Sequence, residues 1–181
     1  MSKPKQPIVQ RRTLLIVGEG ADEKAFLSYL KEQLVPRRAG LMVAIKNAKG
    51  KGAKGVLDYT IKQIRIPEYD TVAALLDTDT DWTDALVKQA KKHNILLLKS
   101  EPCFEAMLLR LLGITPELDS KKLKAQFAPY VNNEATNSKQ YAKYFNLEKL
   151  LAMQHTEPTI ETLLSLFKPS RPNIIHLKLH S

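Results

Sequence analysis

Two short apolar runs, each followed at once by an acidic loop, constrain the fold of this chain most strongly. Residues 14–17 and 71–76 lack the alternation of a half-exposed strand, which is the pattern of strands buried on both faces. Strands of that kind belong to parallel sheets covered by helices. Each acidic loop is therefore expected at the carboxyl end of a strand, the edge at which open α/β sheets bind ligands.

The alternation of strand and helix patterns predicts an α/β fold with an open sheet. Strands are predicted at residues 14–17, 41–45, 71–76 and 95–99. Helical spacing separates them, with the second helix predicted at residues 56–64 and either Asp81 or Thr83 predicted to cap the third helix. Strict alternation favours a mostly parallel sheet of about four strands, with right-handed crossovers and helices on both faces.

Past Gly113 the alternation stops and only helical patterns remain. They are predicted at residues 119–128, 138–153 and 159–167. We expect residues 13–113 to form the core of the domain and residues 114–181 to form a helical C-terminal extension of it. Residues 173–179 are expected to add an edge strand.

The two acidic loops supply four carboxylates that we expect to converge. Glu19 and Glu23 lie on the turn after the first strand, and Asp77 and Asp79 follow the third strand. Like charges this close cannot all stay ionised without a counter-charge. Carboxylate oxygens are hard ligands, so a Mg²⁺ or Mn²⁺ site is predicted. The alternative is that these residues, with the nearby Asp81, only cap helices and form turns.

Composition limits the class of protein. Lys and Arg number 28 against 19 Asp and Glu, and the formal charge of +9 favours a polyanionic partner such as nucleic acid. The single cysteine, Cys103, excludes an internal disulfide and a multi-cysteine zinc site. No apolar run approaches the roughly 18 residues of a membrane span, and the N-terminus lacks a signal peptide pattern. The expectation is a soluble, cytoplasmic protein.

Two basic segments are candidates for phosphate contacts. Residues 1–12 are predicted to be a flexible arm, either a solubilising tail or a phosphate-binding segment. Residues 46–55, rich in Lys and Gly, are predicted to be a flexible loop, either a phosphate-gripping flap or a plain solvated loop. The candidate nucleic-acid-binding residues are Arg11, Arg12, Lys46, Lys49, Lys51 and Lys54. Tyr141, Tyr144 and Phe145 recur at helical spacing and are predicted to be core residues, with a weak nucleic-acid-binding surface as the alternative.

A third motif follows the fourth strand. In SEPCFEAMLL, residues 100–109, Ser100 is predicted to cap a helix and Pro102 to lie in its first turn. Together with the EGADE turn and the DTD motif, this segment resembles the Toprim domain, and within it the RloB-like branch found beside ATPases in bacterial defence loci. The resemblance covers residues 12–112 and extends to the OLD-type nucleases.

The resemblance implies a metal-dependent endonuclease or nickase in antiphage defence, with a separately encoded AAA- or ABC-type ATPase as partner. It implies DNA rather than RNA as the substrate. Whether the protein forms a homo-oligomer is left open. Glu19 is implied as the general acid or base and the DxD pair as metal ligands. Glu105 is implied as a further site residue, whereas Glu101 replaces a neutral polar residue of the relatives. The competing interpretation is a module that binds metal and nucleic acid without cutting and regulates its partner ATPase.

Overall fold

The computed structural model describes residues 11–37 and 40–168, which form a four-stranded, all-parallel open sheet flanked by helices. The strands are β1 (Arg12–Gly18), β2 (Leu41–Asn47), β3 (Thr71–Asp77) and β4 (Ile95–Ser100). The α-helices are α1 (Ala21–Leu34), α2 (Gly52–Gln63), α3 (Asp84–Lys92), α4 (Phe104–Leu111), α5 (Ser120–Phe127), α6 (Leu147–Met153) and α7 (Pro158–Phe167). Short 3₁₀ helices occupy Ala128–Val131, Ser138–Ala142 and Gln154–Thr156. The predicted α/β class is confirmed, and the arrangement is consistent with a Toprim-like fold.

The strand order β2-β1-β3-β4 places the first and third strands side by side at the centre of the sheet. Successive residues of β1 face opposite layers, as the period of a strand requires. Leu14 and Ile16 pack in the layer that contains α1, α4 and α7, and Leu15 and Val17 pack against α2 and α3. The absence of polar alternation in the sequence therefore reflects helices on both faces of the sheet.

Phe26 of α1 joins the C-terminal helical part to the sheet layer. Its ring is fully buried and lies 5.6 Å from that of Phe104, 5.3 Å from that of Tyr141 and 6.3 Å from that of Phe145, measured between centroids. The predicted core position of Tyr141 and Phe145 is confirmed, because both are buried. The residues after Gly113 that the structure describes share one apolar layer with α1 and α4.

Arg12 and Arg110 fasten α7 to the rest of the fold. The Arg12 side chain donates hydrogen bonds to the carbonyls of Leu166, at 2.7 Å, and Lys168, at 3.3 Å. Arg110 forms a bidentate ion pair with Glu157 at 2.5 and 3.0 Å. The placement of Arg12 in a basic arm was wrong, because β1 begins at that residue and its guanidinium satisfies the end of α7.

Two other expectations concern the C-terminal part. The single helix predicted at residues 138–153 is divided into a 3₁₀ turn and α6. Asn146 separates the two, and its side chain accepts a hydrogen bond from the amide of Lys149 at 3.0 Å. Asn favours such capping positions over helix interiors, which explains the break. Most of the arm, residues 1–10, and the edge strand predicted at 173–179 lie outside the described residues.

We expect Phe26→Ala to lower the Tm of the whole protein in one transition. Removing a buried aromatic ring costs about 3–5 kcal/mol, or roughly 10 °C in a chain of this size. Circular dichroism and calorimetry measure this, with Phe26→Leu as the milder control. Two separate transitions, with only one of them shifted, would show that the C-terminal helices fold as an independent unit.

Candidate functional site

The register of the sheet brings the two acidic loops together at its carboxyl edge. Gly18, the last residue of β1, pairs with Leu75, so β3 continues two residues further to Asp77. Asp77 in turn pairs with Ser100 at the end of β4. The turn after β1, the DTD motif after β3 and the start of α4 therefore border one space.

That space is a cleft of about 310 Å³, which we call the carboxylate cleft. Its lining includes six acidic side chains: Glu19, Asp22, Glu23, Asp77, Asp79 and Glu105. All five candidate catalytic residues from the sequence are among them. Asp22 was not among the predicted residues, because an acidic residue on the first turn of a helix is already explained by the helix dipole. Lys124 of α5 is the one basic residue in this lining.

Gly18 allows α1 to start directly against the end of β1. A Cβ atom on Gly18 would lie 2.8 Å from the Cβ of Glu23, a distance too short for any other residue. Glu23 also caps its own helix, since its Oε2 accepts a hydrogen bond from the amide of Gly20 at 2.9 Å. Glu23 thus combines a capping role with a place in the cleft.

Two carboxylate oxygens of the cleft are buried without a hydrogen-bond partner in the described structure. Glu19 accepts a hydrogen bond through Oε1 from the amide of Gly52 at 3.2 Å, but its Oε2 has no partner. Oδ1 of Asp77 is likewise buried and unpaired. A buried, unsatisfied carboxylate oxygen is costly, and a bound cation is one way to satisfy it.

Burial and mutual repulsion raise the pKa values of three cleft carboxyls, those of Asp22, Glu23 and Asp77. Burial, followed by the charges of Glu23 and Glu19, raises the pKa of Asp77 to about 8. Burial is also the main reason that the pKa of Glu23 rises to about 7, opposed by hydrogen bonds from backbone amides. Burial and the charge of Glu105 raise the pKa of Asp22, and nearby Lys124 lowers it. In the absence of a counter-ion the cleft therefore favours protonated carboxyls.

The donor set of the cleft suits a hard divalent cation. It consists of carboxylate oxygens, the ligands that Mg²⁺ takes in proteins, and two of these oxygens lack a partner. As the side chains stand, no three or more His, Cys, Asp or Glu within residues 11–37 and 40–168 are grouped to hold a metal ion. A cation here requires the carboxylates to rotate closer together.

The Lys/Gly segment is shorter and more constrained than predicted. Lys46 belongs to β2, and α2 begins at Gly52, so only residues 48–51 form a loop. The amide of Ala48 donates to the carbonyl of Gly18, and the amide of Gly50 to that of Glu19, both at 2.9 Å. The prediction of a flexible ten-residue loop was wrong, because these bonds attach the segment to the acidic turn.

Asp81 explains why α2 begins early. Its carboxylate accepts hydrogen bonds from the amides of Ala53, at 2.7 Å, and Lys54, at 3.0 Å, at the N-terminus of α2. These are amides that a helix cannot satisfy internally. Thr83, one of the two predicted caps of α3, accepts a hydrogen bond from Leu86 at 3.2 Å. Asp81, the other predicted cap, therefore caps α2 and not α3.

The predicted phosphate-binding side chains divide into bonded and exposed groups. The amine of Lys46 is bonded to Gln63, and Lys54 forms an ion pair with Asp58 at 2.6 Å. Arg12 is bonded to carbonyls of the chain, as described above. The side chains of Arg11, Lys49 and Lys51 are exposed, and these three residues remain candidates for phosphate contacts.

The segment that opens α4 differs from its prediction. Ser100 is not a helix cap, because it is drawn into the sheet as the last residue of β4 and is fully buried. The helix begins at Phe104, after Pro102, whose carbonyl accepts a hydrogen bond from the amide of Thr78 at 2.9 Å. This bond ties the DTD motif to the start of α4. Glu101 is exposed and does not line the cleft.

Comparisons with protein-family models, with curated proteins and with solved structures find no match to this chain. Within the part of the chain that the structure describes, no helix has both the length and the apolar character needed to cross a membrane.

We expect the stability of the metal-free protein to fall as the pH rises from about 4 to about 8. Asp77 binds its proton more tightly in the folded protein than in the unfolded chain. Its stabilising contribution is therefore complete below pH 3.8 and is lost as the pH passes about 8. When Tm is measured in EDTA as a measure of this stability, Tm of Asp77→Asn should decrease less with pH than Tm of the wild type. Asp58→Asn is the control, because Lys54 lowers the pKa of Asp58 and its titration lies in acid. An unchanged slope in Asp77→Asn would contradict the assignment.

A second prediction concerns the cap on α2. Asp81→Ala should destabilise the protein by about 1–2 kcal/mol, or a few degrees in Tm, because two amides lose their acceptor. Asp81→Asn keeps one acceptor oxygen and should lose less. Thermal denaturation at constant pH distinguishes the two. Equal Tm values for wild type and Asp81→Ala would show that the cap contributes nothing.

Proposed function

We propose that this chain is a Mg²⁺- or Mn²⁺-dependent phosphodiester hydrolase that cuts nucleic acid as an endonuclease or nickase. The observation that carries the proposal is the carboxylate cleft, with six acidic side chains and two buried oxygens without partners. The cleft occupies the carboxyl edge of a parallel sheet, where open α/β folds bind ligands. Phosphodiester hydrolysis is the chemistry for which clustered carboxylates and divalent cations are widely used.

In this proposal Glu19, Glu23, Asp77 and Asp79 hold one or two cations. When bound, the ions neutralise charge on the phosphate and lower the pKa of water. Glu19 is also the general acid or base of this set, and the amide of Gly52 orients its side chain through Oε1. Glu105 borders the same space from the first turn of α4 and assists in positioning these groups.

The substrate and the setting follow from charge and from the Toprim resemblance. The net charge of +9 favours a polyanion, and Arg11, Lys49 and Lys51 are exposed for phosphate contacts. We propose DNA rather than RNA as the substrate. We also propose that the protein works in the cytoplasm in antiphage defence, with a separately encoded AAA- or ABC-type ATPase. This last part rests on the resemblance of the three motifs.

A second candidate is a module that binds metal and nucleic acid without cutting and regulates the partner ATPase. Two observations favour it. The described side chains are not grouped as a ligand set, and Oε2 of Glu23 is engaged by the amide of Gly20. A binding role tolerates this looser arrangement, because it does not require a reacting geometry fixed to within a fraction of an ångström.

We expect purified protein to cut supercoiled plasmid, linear duplex or structured RNA in Mg²⁺ or Mn²⁺, and to stop cutting in EDTA. Asp79→Asn should reduce the rate by about 100-fold or more, because a carboxylate of the cleft is lost. Asp84→Asn is the matched control, since Asp84 lies on the first turn of α3, is exposed and does not line the cleft.

Mn²⁺ binding by calorimetry tests the metal site, and the cleavage assay separates the two candidates. Binding that Asp79→Asn weakens, without cleavage of any substrate even when the partner ATPase is added, would favour the non-cleaving module. Equal Mn²⁺ binding and equal cleavage by both proteins would contradict the proposed site.

A further inference from the structure

A second compartment of about 190 Å³ adjoins the carboxylate cleft on the side of the C-terminal helices. We call it the side compartment. It shares Asp22, Glu105 and Lys124 with the cleft, so the two spaces are continuous. The rest of its lining is contributed by the segment after α4: Phe127, Ala128, Val131, Asn133 and Ala135.

The walls of the side compartment differ in chemistry from the cleft. Phe127 and Val131 are buried beneath it and provide an apolar surface. Its walls are held by hydrogen bonds, since the carbonyl of Ala128 accepts from the amide of Asn133 at 2.8 Å. The carbonyl of Ala135 accepts from the hydroxyl of buried Tyr141, also at 2.8 Å. The compartment is therefore built on fixed backbone and has an apolar floor.

Lys124 stands at the junction of the two spaces. It is an exposed residue of α5 and forms no ion pair within 4.0 Å among the residues that the structure describes. Its positive charge acts on the cleft, where it opposes the rise in the pKa of Asp22. A free amine beside a compartment with an apolar floor and a polar border suits a ligand that has both a phosphate and a planar heterocyclic group.

The size of the side compartment limits its occupant. Pockets for drug-sized ligands begin at about 300 Å³, so a space of 190 Å³ is suited to a smaller group such as one heterocyclic base. A stacked base pair does not fit such a chamber, whereas an unpaired base enters it at little cost.

We propose that the side compartment holds one unpaired base of the substrate strand, while Lys124 binds a phosphate next to the one in the carboxylate cleft. The substrate class is then single-stranded or locally frayed nucleic acid. The inference rests on the proposed function for the role of the cleft, and it assigns to the C-terminal part the selection of strand form.

Binding without cleavage tests the inference. Fluorescence anisotropy in Ca²⁺ compares three labelled oligonucleotides of equal length: a single strand, its duplex, and a single strand whose central nucleotides lack bases. The wild type should bind the complete single strand about tenfold more tightly than the other two. This is the contribution expected of one stacked base.

Variants locate the effect in the molecule. Ala128→Leu places a larger side chain in the compartment and should abolish the preference for the complete strand. Lys124→Ala should weaken binding of all three ligands by about tenfold, the size of one charge-assisted hydrogen bond, and Lys124→Arg should restore it. Lys121→Ala, on the same helix but outside both spaces, should bind as the wild type does.

Equal affinity of the wild type for the complete and the baseless strand would overturn the inference, as would a preference unchanged in Ala128→Leu. The baseless ligand gives this answer even if Ala128→Leu does not fold. Metal-dependent cleavage without any base preference would overturn the inference and leave the proposed function intact. A base preference without metal binding or cleavage would contradict the proposed function and leave this inference intact.

Discussion

Repulsion among carboxylates at the carboxyl edge of the sheet is the constraint on which the rest of this structure depends. Parallel strands end side by side, so acidic residues that follow β1 and β3 are forced into one space. Folding therefore brings charges together and takes them partly out of water, and both effects raise the pKa values of Glu23 and Asp77. This unfavourable free energy is confined to the carboxyl edge of the sheet, and the burial of two apolar layers offsets it.

Backbone amides supply much of the compensation that makes the edge stable. Amides of Gly20 and Gly52 reach cleft carboxylates, and the start of α2 is held by Asp81. Hydrogen bonds between loops add to this, since Ala48 is bonded to Gly18 and Thr78 to Pro102. The four segments at this edge are thus bonded to one another, so the backbone that carries the carboxylates is held in place. The side chains themselves are not yet grouped around a cation, and two of their oxygens have no partner among the described residues.

The sequence predicted the parts of this site that depend on local pattern. Apolar runs and the residues directly after them are set by strand burial, so Glu19 and Asp77 were identified and the α/β class was confirmed. Features decided by distant contacts were missed. Ser100 was expected to cap α4 but joins the β-ladder opposite Asp77, and α2 begins early because Asp81 reaches it across 28 residues. Nothing in the sequence around Lys124 indicated a site residue, because only the packing of α5 brings Lys124 to the cleft.

The contrast between the whole chain and its cleft explains how such a protein would depend on a cation for binding as well as for chemistry. The chain has a formal charge of +9, which would attract a polyanion such as the proposed nucleic-acid substrate. The cleft has six carboxylates and one lysine, which repel a phosphate at close range. Long-range attraction and short-range repulsion are reconciled only when positive charge enters the cleft. Lys124 supplies one such charge at its border, and a divalent cation among the carboxylates would supply the remainder.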